Sequence, residues 1–121
     1  MIKRLLLALL LSSCPAWGAV AFQATTAIVG DATPHADTTV TLPAHATNDI
    51  LYLMHWVRDA DDTATIDTAT GWVAVTGFPL DRGTSARYWL WWKRAASAAE
   101  TSPVINYSGT TGDSYYTVFN Y

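Results

Sequence analysis

The densest set of chemistry-bearing side chains in this sequence is Tyr88-Trp89-Leu90-Trp91-Trp92. In an extended chain Tyr88, Leu90 and Trp92 share one face and Trp89 and Trp91 the other, the two indoles roughly 7 Å apart. Flat rings in a row can stack on sugar faces or on another apolar surface, because they present area with little entropy to lose. Trp89 and Trp91 are therefore candidate ligand-binding residues, with Tyr52 and Trp56 as neighbours if their strand pairs with this one. The competing reading packs the same rings beneath a second layer, where most strand tryptophans go.

Other constellations offer less. Asp59, Asp61, Asp62 and Asp67 make an acidic stretch, and oxygen-rich loops can hold calcium. This one lacks the Asp-x-Asp-x-Asp-Gly spacing and a closing glutamate, so it reads as a solvated loop. His35, His45 and His55 stand ten residues apart, without the short spacing that gathers zinc ligands. His55 reads as a half-buried strand residue. No Gly-x-Ser-x-Gly occurs, and Glu100 is the sole glutamate, so neither a serine hydrolase nor a paired-carboxylate glycosidase is indicated. The expectation is no enzyme, no cofactor and no metal.

The elements that would position these residues are strands. Threonine occurs 17 times, always after Ala21, among β-branched and aromatic residues. Residues 21–29, 38–42, 50–57, 72–76, 87–94, 104–107 and 114–121 read as strands separated by Gly, Pro, Asn and Asp signals. Val40 and Leu42 fall on one face of theirs. Residues 50–57 are apolar throughout except His55, which predicts a central strand covered on both faces. Residues 58–70 read as a long loop, alone or with a short edge strand, and 95–101 as a connection or single turn. Seven short strands at this spacing predict an all-β fold, an antiparallel β-sandwich.

Met1-Ile2-Lys3-Arg4, followed by an apolar run over residues 5–11, has the layout of a secretory signal peptide. The run is too short to span a membrane, and Ala19-Val20-Ala21 places the cut before Phe22. Residues 1–21 are thus expected to be a leader and 22–121 the exported domain. A rival processing site, Leu11-Ser12-Ser13-Cys14, would make the chain a lipoprotein through Cys14. Removal of the leader leaves five basic and ten acidic side chains and no basic cluster, which argues against nucleic acid as a partner.

Some of these segments resemble a known group of domains. Leu42-Pro43-Ala44-His45-Ala46-Thr47-Asn48-Asp49-Ile50-Leu51 is similar to a "P-x-G-x-x-x-G-D-I-L" strand entry, and Gly71-Trp72 to a "P-S-G-W" start. Residues 87–103 resemble "R-L-x-V-Y-W-K-R-A-T-A-x-E-P-S", and 114–121 a following "A-x-x-A-Y-R-G" strand. Together they resemble jelly-roll-like β-sandwich domains of phage tail, virion-associated and bacterial secreted or surface proteins. Asn48 stands where glycine is usual, in a left-handed turn that asparagine also tolerates. The resemblance implies that Leu90 and its companions face the core, that Trp89 and Trp91 point away, and that further strands follow the last one.

Independently, the sequence ends inside the strand pattern of residues 114–121. An unpaired apolar edge there predicts a sandwich incomplete at its C-terminus, finished by later residues or by a partner chain. The function expected is a non-catalytic exported structural or adhesive module, phage-related or of bacterial surface type. Its alternative is a carbohydrate-binding module, the partner being a glycan or another protein surface. Mass spectrometry of the exported chain should find Phe22 as the first residue, whereas a lipid-modified Cys14 there would select the lipoprotein route.

Overall fold

The computed structural model describes residues 20–31, 37–58, 63–66, 70–108 and 113–121. The leader segment, His35 and the acidic stretch of Asp59, Asp61, Asp62 and Asp67 lie outside the described residues. Ten strands run in chain order: β1 (Ala24–Thr25), β2 (Val29–Asp31), β3 (Thr38–Thr39), β4 (Ile50–Val57) and β5 (Thr63–Ile66), then β6 (Val73–Ala74), β7 (Leu80–Asp81), β8 (Arg87–Arg94), β9 (Val104–Ser108) and β10 (Ser114–Asn120). All pairings are antiparallel. The larger sheet has the order β1-β10-β4-β8-β6, with β2 also on β10 and β7 also on β8, and the smaller has the order β3-β9-β5. The two sheets pack together as a β-sandwich.

β4 is the axis of the larger sheet. It pairs over eight residues with β8, from Ile50 opposite Arg94 to Val57 opposite Arg87, and over seven with β10. Its burial alternates strictly: Leu51, Leu53, His55 and Val57 are buried, and Ile50, Tyr52, Met54 and Trp56 are half-buried. Only one face is therefore covered by the second layer, not both as its apolar composition implied. The inward row meets Trp89 and Trp91 of β8, Tyr116 and Val118 of β10, and Val40, Ala64, Ile66 and Ile105 from the smaller sheet and its approaches. Burying each large member of this set contributes about 1.5–3 kcal/mol.

Two polar devices set the ends of β4 and β8. Asn48 takes the left-handed conformation (φ 75°), and the carboxylate of Asp49 accepts a hydrogen bond from the Ala46 amide at 2.7 Å. The Asn48 amide donates to Ala95 at 2.8 Å and the Ala95 amide returns a bond to Asp49 at 2.8 Å, so the turn enters β4 already tied to the end of β8. Beyond β8, Glu100 accepts from the amides of Ala96 and Ser97 and pairs with Lys93, which also donates to the Thr70 carbonyl. Residues 95–101 are accordingly a tight connection.

The last strand is not an open edge. β10 carries β4 on one side and both β1 and β2 on the other. Thr26, between the two short strands, continues the seam: its amide donates to Val118 at 3.0 Å, and its hydroxyl accepts from the Val118 amide at 2.9 Å. The free-edge expectation fails because the segment read as one opening strand breaks at residues 26–28 and covers β10 in two pieces. The edge strand expected within residues 58–70 is β5, which pairs with β9.

Gly30 sits opposite Tyr115. A Cβ there would lie 2.7 Å from the Tyr115 ring, which stacks on Trp56 at 5.5 Å and 19°. Gly30→Ala should push the ring off Trp56 and cost about 1–3 kcal/mol, read as a lowered thermal midpoint with an altered near-ultraviolet circular dichroism spectrum. An unchanged midpoint would show that β2 does not press on Tyr115.

Candidate functional site

Opposite residues in a ladder point to the same side of the sheet, so the burial of Leu53 and His55 forces their partners Trp91 and Trp89 inward. Trp89 is 6% and Trp91 5% exposed. This inverts the orientation implied by the family resemblance: Leu90 faces outward with Tyr88 and Trp92. The inward row of β8 carries two of its three indoles, and the gap between the layers is where their area is removed from water. They lie parallel, centroids 6.5 Å apart and planes 4° apart. Their edges line a cavity of about 340 Å³ with Ala64 and Ile66 of β5 and with Phe78 and Pro79. They form no open platform.

His55 fills the space beside them. It is 0% exposed, tilted against Trp89 at 5.2 Å, stacked on Trp91 at 6.3 Å and edge-on to Tyr107 at 5.1 Å. Its Nε2 is hydrogen-bonded to the Tyr107 hydroxyl, joining the central strand of one sheet to the central strand of the other, and its Nδ1 has no partner. The expected half-buried position is thus corrected to a sealed one. Burial pushes its pKa down to about 3, since imidazolium would be stripped of water between rings. His45 is elsewhere, its Nδ1 2.7 Å from the Pro43 carbonyl oxygen. Among the described residues no group of three His, Cys, Asp or Glu is placed to hold a metal ion.

The outer face of the larger sheet is where the remaining aromatic residues collect. Register gives three central rows: Tyr115, Trp56 and Tyr88; Thr117, Met54 and Leu90; Phe119, Tyr52 and Trp92. Tyr52 and Trp56 are thereby brought onto one face, as anticipated, but with Trp92 and not with Trp89 and Trp91. Val73 extends the last row and Leu80 the first, both 51% exposed, and Trp92 is 38% exposed. Tyr52 divides two hollows. One of about 550 Å³ is lined by Val73, Val75, Thr76 and Trp92, the other of about 470 Å³ by Val20, Phe119 and Tyr121, with Ile50 and Tyr52 common to both.

Charges stand only at the ends of this face. Arg58 pairs with Asp113 at 3.2 Å beyond the first row, and Arg94 lies opposite Ile50 beyond the last. At the margin, Arg87 donates to both oxygens of Asp81 and holds that carboxyl below the usual range; Lys93, paired with one oxygen of Glu100, likewise holds that carboxyl low. Trp92, Tyr115 and Phe119 were not singled out as site residues from sequence. The available signal was the aliphatic row Leu51, Leu53 and Val57, a better core set than Tyr52, Met54 and Trp56, with His55 obscuring it.

Compared with known families, with curated proteins and with solved structures, the chain matches none.

The folded-state pKa of His55 lies below its unfolded value of about 6.5, so unfolding takes up a proton between pH 6.5 and 3. Stability should be complete above pH 6.5 and fall with decreasing pH by up to about 1.4 kcal/mol per unit. Urea midpoints from pH 7 to 4 should show this slope. His55→Leu should remove its His55 component while lowering stability at pH 7 by removing the hydrogen bond to the Tyr107 hydroxyl. A slope unchanged in His55→Leu would assign acid sensitivity to the carboxylates.

Proposed function

We propose that this chain is a non-catalytic, exported structural or adhesive module of phage-related or bacterial surface type, working through the outer face of its larger sheet. One observation carries the reading: nine side chains in three rows, six of them aromatic and none charged, of which only Thr117, hydrogen-bonded to Thr25 and Thr26, is buried, with no second layer over the other eight among the described residues. Contiguous apolar surface of this kind is costly to leave in water, at about 25 cal/mol per Å², and marks an interaction surface. The absence of catalysis is supported by the state of the titratable groups: His55 is sealed in the core, and Glu100 is occupied by Lys93 and two amides. Export rests on the leader-like first 21 residues.

Fractionation of producing cells tests this reading. The chain should be recovered with envelopes or assembled particles, and Trp92→Lys combined with Tyr121→Lys should release it in folded form. Recovery of the unaltered chain only as a free soluble species would overturn it.

A second reading, carbohydrate binding, is favoured by the hollow beside Tyr52 that has the partly exposed Trp92 ring in its wall. Tyr52 and Trp92 would carry it, in place of Trp89 and Trp91. Glycan-array binding abolished by Tyr52→Ala with Trp92→Ala, and retained in variants off this face, would establish it.

A further inference from the structure

Resting on that reading of the outer face, we infer that its occupant is the same face of a second copy of this chain, in an isologous dimer. Three observations converge. The first is extent: the 23 residues of β4, β8 and β10 and the nine of the short strands β1, β2, β6 and β7, each covering roughly 4.8 by 3.4 Å, give about 520 Å² per copy and about 1,040 Å² per pair. That reaches the roughly 1,000 Å² a specific interface needs. The second is composition. The centre is Tyr, Trp, Phe, Met and Leu with one Thr and no charge, and charged groups begin only at the ends. A mainly apolar, uncharged centre with a charged rim is the make-up of self-association.

The third is complementarity. Arg58 and Asp113 mark one end and Arg94 the other. A two-fold axis lying between the faces, tilted roughly 20° from the perpendicular to the strands, sets Arg94 of each copy over the Arg58–Asp113 pair of the other, where Asp113 can accept from both guanidinium groups. The strands then cross at roughly 40°, close to the usual angle for aligned sheets. A glycan fits the centre less well. Met54, Leu90 and Phe119 offer nothing to sugar hydroxyls, and a hydroxyl buried without a partner is costly.

Sedimentation equilibrium of the exported chain, purified after removal of the leader, at micromolar concentration should give a species of twice the monomer mass. Val73→Lys with Leu80→Lys, at two positions more than half exposed on this face, should raise the dissociation constant by about tenfold or more while leaving the far-ultraviolet spectrum unchanged. Should that variant fail to fold, Arg94→Glu, set against Asp113 of the other copy, should weaken the dimer in the same assay. A monomer throughout the range overturns the dimer, as does a dimer indifferent to these substitutions. A monomer that still fractionates with envelopes defeats the dimer alone, and a monomer retained by a glycan assigns the face to carbohydrate.

Discussion

In a ladder, the choice of which side of one strand meets water is made for its neighbours as well. β4 is bound along its length to β8 and β10, so one decision at Leu51, Leu53 and Val57 is imposed on three strands. Trp89, Trp91, Tyr116 and Val118 go inward with them, and Tyr52, Trp56, Trp92, Tyr115 and Phe119 go outward. Both consequences, a core walled by indoles and an aromatic surface behind it, come from the same register. A slip by a single residue would exchange the two faces.

The register also carries His55 into the core. Its ring occupies the position of an aliphatic residue, against two tryptophans, with one nitrogen satisfied by Tyr107 and one unpartnered. A polar group of this kind is tolerated while it stays neutral, which the apolar walls enforce. The same bond ties the middle strands of the two sheets together. The contact that joins the layers is thus also the one most exposed to acid.

In the function proposed above, the outward rows would let a small sandwich bind another surface without a cleft full of polar groups. Tyr115 covers Gly30 and leans on Trp56, and Tyr121 lies edge-on to Tyr52, so the rings are held by one another. Rings restrained in this way lose little entropy when a second surface covers them, and affinity then follows from area and shape. The ion pairs at the ends and margin keep charge away from the centre and add directional preference more than energy.

Much of the architecture was legible in the residues themselves. Threonine and β-branched content, glycine and proline punctuation, and the unbroken 50–57 and 87–94 segments specify strands and a sandwich, because these are local preferences read one segment at a time. The left-handed Asn48 and the shared face of Val40 with the core belong to the same category. The fate of each tryptophan did not. Period two says that Trp89 and Trp91 part company with Trp92, but not which side finds the second sheet, since both rows of β8 and of β4 are apolar enough to be buried. Nor could the covering of β10 by β1 and β2 be read from either end, because that pairing joins residues about ninety positions apart. Local composition determined that this chain would be layers of strands; long-range pairing alone decided which aromatic rings became core and which became surface, because burial is a property of the neighbour across the gap.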